Sequence, residues 1–142
     1  FTTMLLLWRS WFLAAIALGI SLGPLGLLAI VAAWFQVPLN SVTVMVGALA
    51  LGIGIDDAVH LITHWLQLKR RGIEPRIALG GALEAKGPPI ICTSLILISF
   101  SLSLLWMSFP PLNDFGWLSA IAYTAALGAV LWVLPSLLGL KK

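Results

Sequence analysis

The sequence predicts an all-α polytopic bundle embedded in a membrane, and three observations predict it. Only 9% of the 142 residues are charged and 61% are hydrophobic, with a mean hydropathy of +1.07, whereas a soluble domain carries roughly 25% charged residues. Four apolar segments follow one another, each long enough to cross the ~30 Å hydrocarbon core as a helix. All eight Lys and Arg residues fall on one side of the resulting alternating arrangement.

The expected spans lie at about 11–35, 42–67, 88–108 and 114–138. The first carries no charge and is expected to kink near Pro24, since membrane helices tolerate Pro and Gly where neighbours satisfy the freed backbone. A turn at "VPLN" leads into the second. The third is expected to open on Pro88 and Pro89, which suit a first helical turn, and the fourth on Asn113 or Asp114 as N-cap. Residues 1–8 are too short to span and read as the tail of a fifth helix. No basic region precedes them, so they do not read as a signal peptide.

Residues 69–87 form a charged connection. Within it, Ile77, Leu79 and Leu83 alternate with Glu74, Arg76, Glu84 and Lys86 in an amphipathic pattern. A short helix lying on the membrane surface is expected there, with a solvated loop as the alternative. Arg9, residues 69–87 and Lys141–Lys142 share one face, and the opposite turns, "QVPLN" and "SFPPLND", carry no Lys or Arg. The positive-inside rule puts residues 9, 69–87 and 141–142 in the cytoplasm, and the chain is expected in the cell's inner (plasma) membrane. Trp34 and Trp106 then fall near the outer interface, and Trp8, Trp11 and Trp65 near the inner one.

"LGIGIDDAVHLITHW", residues 51–65, places two carboxylates at the centre of the second span. Each costs roughly 2.5–3.5 kcal/mol at that depth. At about 100° per residue, Gly52, Asp56, Asp57, His60, Thr63, His64 and Gln67 share an arc of about 140°. Such a stripe belongs against protein or water. Adjacent carboxylates in a low dielectric cannot both ionise cheaply and titrate as one coupled unit. Asp56 and Asp57 are therefore candidates for a proton relay, with His60, one turn away, as its third member. On the third span Thr93, Ser94, Ser101 and Ser108 share an arc of about 100°. Thr93 and Ser94 are the expected relay partners, and the alternative is that these hydroxyls satisfy their own helix backbone.

A structural polar network, a sodium site and a metal site on Asp56, His60 and His64 remain open beside the relay. The last supplies only three ligands, and no metal or other cofactor is expected. Gly52 and Gly54 are expected to let helices approach closely; the Gly-x-Gly they form lacks the preceding strand and third glycine of a dinucleotide site. The basic residues sit at span ends, so nucleic acid is not an expected partner. Cys92 stands alone and reads as a small packing residue, which excludes a disulfide within the chain. No nucleophile–base pair points to an enzyme.

"GIGIDDAVHLITHW", the basic connection, and "GPPIICTSLILISFSLSLLWMSFPPLNDFGWLSAIAYTAALGAVLWVLPSLL" together resemble the resistance–nodulation–division superfamily, most closely its branch of MmpL-like predicted exporters. The Gly-x-Gly-x-Asp-Asp core is also similar to the sterol-sensing-domain relatives Patched and Dispatched. The resemblance implies one half of a twelve-helix protein, with extracytoplasmic domains and a second half elsewhere in the same polypeptide. It implies that the spans are the third to sixth helices of that half. The closing "LPSLLGL" and the "DDAVH" wording favour the C-terminal half. It further implies proton-driven export of hydrophobic or lipid-like cargo, with Asp56 and Asp57 at the relay positions and Thr93 at a nearby hydroxyl position. Departures are Val130 where some members carry an aspartate, Ser99-Phe100 for a usual Gly-Phe, and no lysine expected within the spans. The alternative is a sterol-sensing-like lipid-binding or scaffold module without ion coupling. A homo-oligomer is compatible with either.

Overall fold

The computed structural model describes residues 11–37 and 40–139; the expected partial span at 1–8, Arg9 and Lys141–Lys142 lie outside them. Its helices are α1 (Trp11–Trp34), α2 (Ser41–Arg70), α3 (Pro75–Ser103) and α4 (Pro110–Gly128). A 3-10 turn, Leu104–Trp106, closes α3, and α4 passes through a π turn, Ala129–Val133, into a last short helix, α5 (Leu134–Gly139). Four helical stretches, Trp11–Trp34, Ser41–Arg70, Pro75–Trp106 and Pro110–Gly139, are long and apolar enough to cross a membrane. The described residues contain no strand, so the chain is an all-α polytopic bundle.

Local chemistry sets the ends of these helices. After α1, Gln36 takes a left-handed φ of 53°, and Val37 N–H donates to Ala32 O at 2.8 Å while Gln36 N–H donates to Ala33 O at 3.2 Å. That pair of bonds satisfies carbonyls the helix end leaves free. Asn40 then starts α2. Its Oδ1 accepts from Val42 N–H at 2.9 Å and Thr43 N–H at 3.1 Å, and Thr43 Oγ1 accepts from Asn40 N–H at 3.0 Å. This reciprocal box fixes the first turn. The same C-terminal motif ends α2. Gly72 supplies a φ of 82°, and Ile73 N–H reaches Leu68 O at 3.3 Å. Lys69 and Arg70 occupy the last turn of α2, where cations suit the helix dipole.

Two expectations about boundaries need correction. The third spanning helix starts at Pro75, thirteen residues before Pro88, so residues 75–86 are its first turns and not a separate surface helix. Its inward stripe is alanine, not the expected leucines alone: Ala78 and Ala82 are fully buried, while Ile77 is exposed. Their small side chains let this end of α3 pack into the cluster formed by Leu61 and Trp65 of α2 and Leu13 and Ala17 of α1. Pro88 and Pro89 sit inside α3 with exposed rings. They remove two donors, which frees the carbonyls of Glu84 and Ala85 on exposed turns, and the packing below holds the helix continuous. The fourth helix likewise begins earlier than Asn113, at Pro110–Pro111. Asn113 Nδ2 instead donates back to Leu105 O at 2.9 Å, tying the 3-10 turn to α4. In α1 the helix runs through a buried Pro24 without interruption.

Trp65 pins the turn between α2 and α3. It is 2% exposed, its Nε1 donates to Pro75 O at 3.1 Å, and Lys69 Nζ lies 4.8 Å from the ring centroid. Trp65→Phe keeps most of the apolar volume but removes the donor. It is expected to lower stability by about 1–2 kcal/mol, read as a fall in the thermal unfolding midpoint in detergent micelles.

Candidate functional site

α2 and α3 run antiparallel, and between them lies a cleft of about 600 Å³. α2 contributes Gly52, Ile53, Asp56, Asp57 and His60 to its walls; α3 contributes Lys86, Pro89, Ile90, Thr93 and Leu97. Both sets follow helical spacing, so each helix presents one stripe to the other. Asp56 stands halfway along the 30 residues of α2, about 21 Å from its C-terminal end at 1.5 Å per residue.

The two carboxylates differ although they are neighbours in sequence. Asp56 is 73% exposed, and its Oδ1 lies 3.5 Å from Nε2 of His60, itself 61% exposed. That pair is one helical turn apart on the open side of the cleft. Asp57 is rotated by about 100° toward the bundle and is 8% exposed. Its Oδ2 is buried and has no hydrogen-bond partner among the described residues. A buried polar atom left without a partner costs about 1–3 kcal/mol. Such an atom in a site open to water on one side is placed to take a proton.

The expected partners divide. Thr93 lines the cleft, and its Oγ1 donates to Pro89 O and Ile90 O, both at 3.1 Å. The hydroxyl is thus satisfied by its own helix, as the alternative reading of the sequence has it. Ser94 is buried and outside the lining of the cleft, one residue of helical rotation from Thr93. Ser101 is also buried, with its Oγ unpartnered, further along α3. Gly52 does not mediate helix packing. Nothing lies within 4 Å of where its Cβ would be, and its lack of a side chain opens the cleft. Gly54 does face α1, 3.8 Å from Ser21.

Lys86 is the residue the sequence reading missed. With the span starting at Pro88, it belonged to a surface connection; with α3 continuous from Pro75, it lies on the spanning helix and lines the cleft. Counting from the α2–α3 turn, Lys86 and His60 stand at nearly the same height, about 15 Å in. The signal was present in sequence: Lys86, Ile90, Thr93 and Leu97 recur at the three- and four-residue spacing of one helix face. The described residues contain no group of three or more His, Cys, Asp or Glu side chains placed to hold a metal ion.

The curated relative "Putative membrane protein MJ1562" from Methanocaldococcus jannaschii is 27% identical over 107 residues, covering 75% of this chain. The match takes in 28% of that relative's length, so the chain corresponds to less than a third of it. No solved structure matches. Residues 1–141, nearly the whole chain, match the family model described as MMPL family. With four membrane-crossing helices and a match of that extent, the chain belongs to the MMPL family.

Proposed function

We propose that this chain is one membrane half of a transporter that uses the proton-motive force to export a hydrophobic or lipid-like substrate from the cell's inner membrane. Asp56 and Asp57 carry the proton, and His60 passes it between the pair and the cytoplasmic side. The observation that carries this reading is the mid-span cleft. It holds one solvent-facing carboxylate beside an imidazole and one buried carboxylate with an unpartnered oxygen. A protonatable pair halfway across converts the membrane field into work at about 2.3 kcal/mol per charge per 100 mV.

The exposure of Asp56 and His60 supports a further part of the same proposal. Charged groups at this depth do not face lipid tails. The second half of the polypeptide covers this side of α2 and α3 and turns the cleft into an enclosed, wet site. Residues 69–87 are cytoplasmic on this reading, and the chain's extracytoplasmic domains lie elsewhere in the polypeptide.

The test is transport by the complete polypeptide in proteoliposomes with an imposed proton gradient. Asp56→Asn combined with Asp57→Asn is expected to reduce gradient-driven cargo movement by about a hundredfold or more, with cargo binding retained. Undiminished transport by that variant rules the relay out.

One observation favours a second reading, a sterol-sensing-like lipid-binding module. An apolar crevice of about 370 Å³ lies between α1 and α2, bounded by Leu25, Leu28, Ala32, Val44, Gly47 and Leu51. It suits an acyl chain. On that reading lipid copurifies with the protein and exchanges at the same rate with and without a gradient.

A further inference from the structure

We infer that Lys86 is an ion-selectivity residue: its ammonium guards the cytoplasmic mouth of the α2–α3 cleft and denies the carboxylate pair to sodium, leaving it to protons. The inference rests on the proton reading above and adds to it which ion the site accepts, and why.

The cleft contains what a small metal cation would use. Asp56 and Asp57 offer carboxylate oxygens, Asp57 Oδ2 is buried and unclaimed, and the Thr93 hydroxyl oxygen retains lone pairs for a cation. Acidic groups at that depth therefore need a device that keeps metal ions off them. The titratable and charged groups facing the pair are few. α2 supplies the pair itself and His60, α3 supplies Lys86, and α1 carries no ionisable side chain. Lys86 is thus the cation of fixed charge in the cleft wall among the described residues. No ion pair joins it to either carboxylate, so its charge acts across the cleft and its three N–H donors stay available to water.

Its height decides its effect. Lys86 stands level with His60, about a helical turn to the cytoplasmic side of Asp56. On the other side of the carboxylates the walls are Gly52, Ile53, Thr93 and Leu97, none of them charged. An ion coming from the cytoplasm therefore passes the ammonium first. One unit charge across the cleft, at the effective dielectric of a partly wet site, weakens occupancy by a monovalent cation by about tenfold. A proton forms a covalent O–H bond, and a tenfold weakening leaves that bond in the range where it still forms and breaks. Sodium is held by electrostatics alone, and the same factor removes it from the site at cellular concentrations. The proton also arrives by hopping through water and the His60 imidazole, without the bare ion having to fit beside the ammonium.

Carbodiimide labelling of the complete polypeptide in detergent tests this without depending on transport. The reagent modifies protonated carboxyl groups in apolar surroundings, and a bound sodium ion blocks it. Labelling at Asp56 and Asp57 is followed by mass spectrometry in sodium chloride against choline chloride. The wild type is expected to label at the same rate in both salts. Lys86→Gln is expected to label in choline and to be slowed about tenfold by sodium, and Lys86→Arg, which keeps the charge, to behave as wild type. A Lys86→Gln chain indifferent to sodium, or unlabelled in choline, overturns the guard while leaving the relay standing. A wild type protected by sodium overturns the guard and makes the pair a sodium site. A wild type unlabelled in either salt removes the protonated pair, and the proton reading with it.

Discussion

Gly116→Ala is expected to destabilise the bundle by about 1–3 kcal/mol, and Gly116→Val by more. Gly116 lies in the first turns of α4, where that helix crosses the end of α3. A Cβ added there would stand 2.6 Å from the backbone carbonyl oxygen of Ser101 and 3.0 Å from Leu104 Cβ. The first of these is backbone, which cannot rotate away, so the two helices must separate. That separation also loosens the 3-10 turn and the Asn113 bond to Leu105 O that hold the hairpin. Two other glycines give the comparison. A Cβ at Gly54 would meet Ser21 at an ordinary 3.8 Å, and one at Gly47 would press at 2.9 Å on Leu25 Cδ1, the mobile end of a flexible side chain. Gly54→Ala is therefore expected to be neutral or to stabilise by up to about 1 kcal/mol through helix propensity, and Gly47→Ala to cost little. The measurement is the unfolding midpoint of all three variants in the same detergent. Equal midpoints would mean that the α3–α4 crossing is not the close contact described.

The four spans were legible because a membrane helix asks little of its sequence beyond length and hydropathy. Helix phase was equally legible within α2: Asp56 and His60 fall on one face by arithmetic, and the structure has them 3.5 Å apart. What could not be read was how far the neighbouring helix extends. Pro88 and Pro89 resemble a helix start, because in isolation an interior proline costs about 3 kcal/mol. Here Ala78 and Ala82 lock the earlier turns against Trp65 and Leu61, and tertiary packing overrides the local preference. That single boundary decided whether Lys86 was a loop residue or part of the cleft. Thr93 and Ser94 were both expected beside the carboxylates, and only Thr93 lines the cleft. Adjacent residues on a helix point about 100° apart, and only the position of α2 determines which of the two faces it. Gly52 could not be told from Gly54 for the same reason, since a glycine at an interface and one beside an opening look alike until the neighbouring helix is placed.

Asp57→Leu is expected to raise the stability of the protein while abolishing gradient-driven transport. Asp57 is 8% exposed and its Oδ2 has no partner, so the folded state carries the cost of a buried, unanswered polar atom. Leucine has the branching and the number of side-chain heavy atoms of aspartate, and it removes that cost. The gain is expected at about 1–3 kcal/mol, a rise in unfolding midpoint of several degrees. On the proposed relay, transport falls by about a hundredfold or more, because the buried oxygen assigned to the proton is gone. The opposite signs are what separate a working site from a structural one. If Asp57 were part of a polar network that holds α2 in place, its removal would orphan a partner and lower the midpoint. Asp56→Leu provides the contrast. Asp56 is 73% exposed and leaves no buried atom unsatisfied, so its loss is expected to change the midpoint of the isolated chain little and to act on transport alone. Ser101→Ala completes the set. Its buried Oγ is also unpartnered, but it lies outside the cleft lining, so it should raise the midpoint with transport unchanged. An unfilled polar atom alone therefore does not mark a working site; the loss of transport on its removal does. Only for Asp57 should correcting it cost the protein its activity.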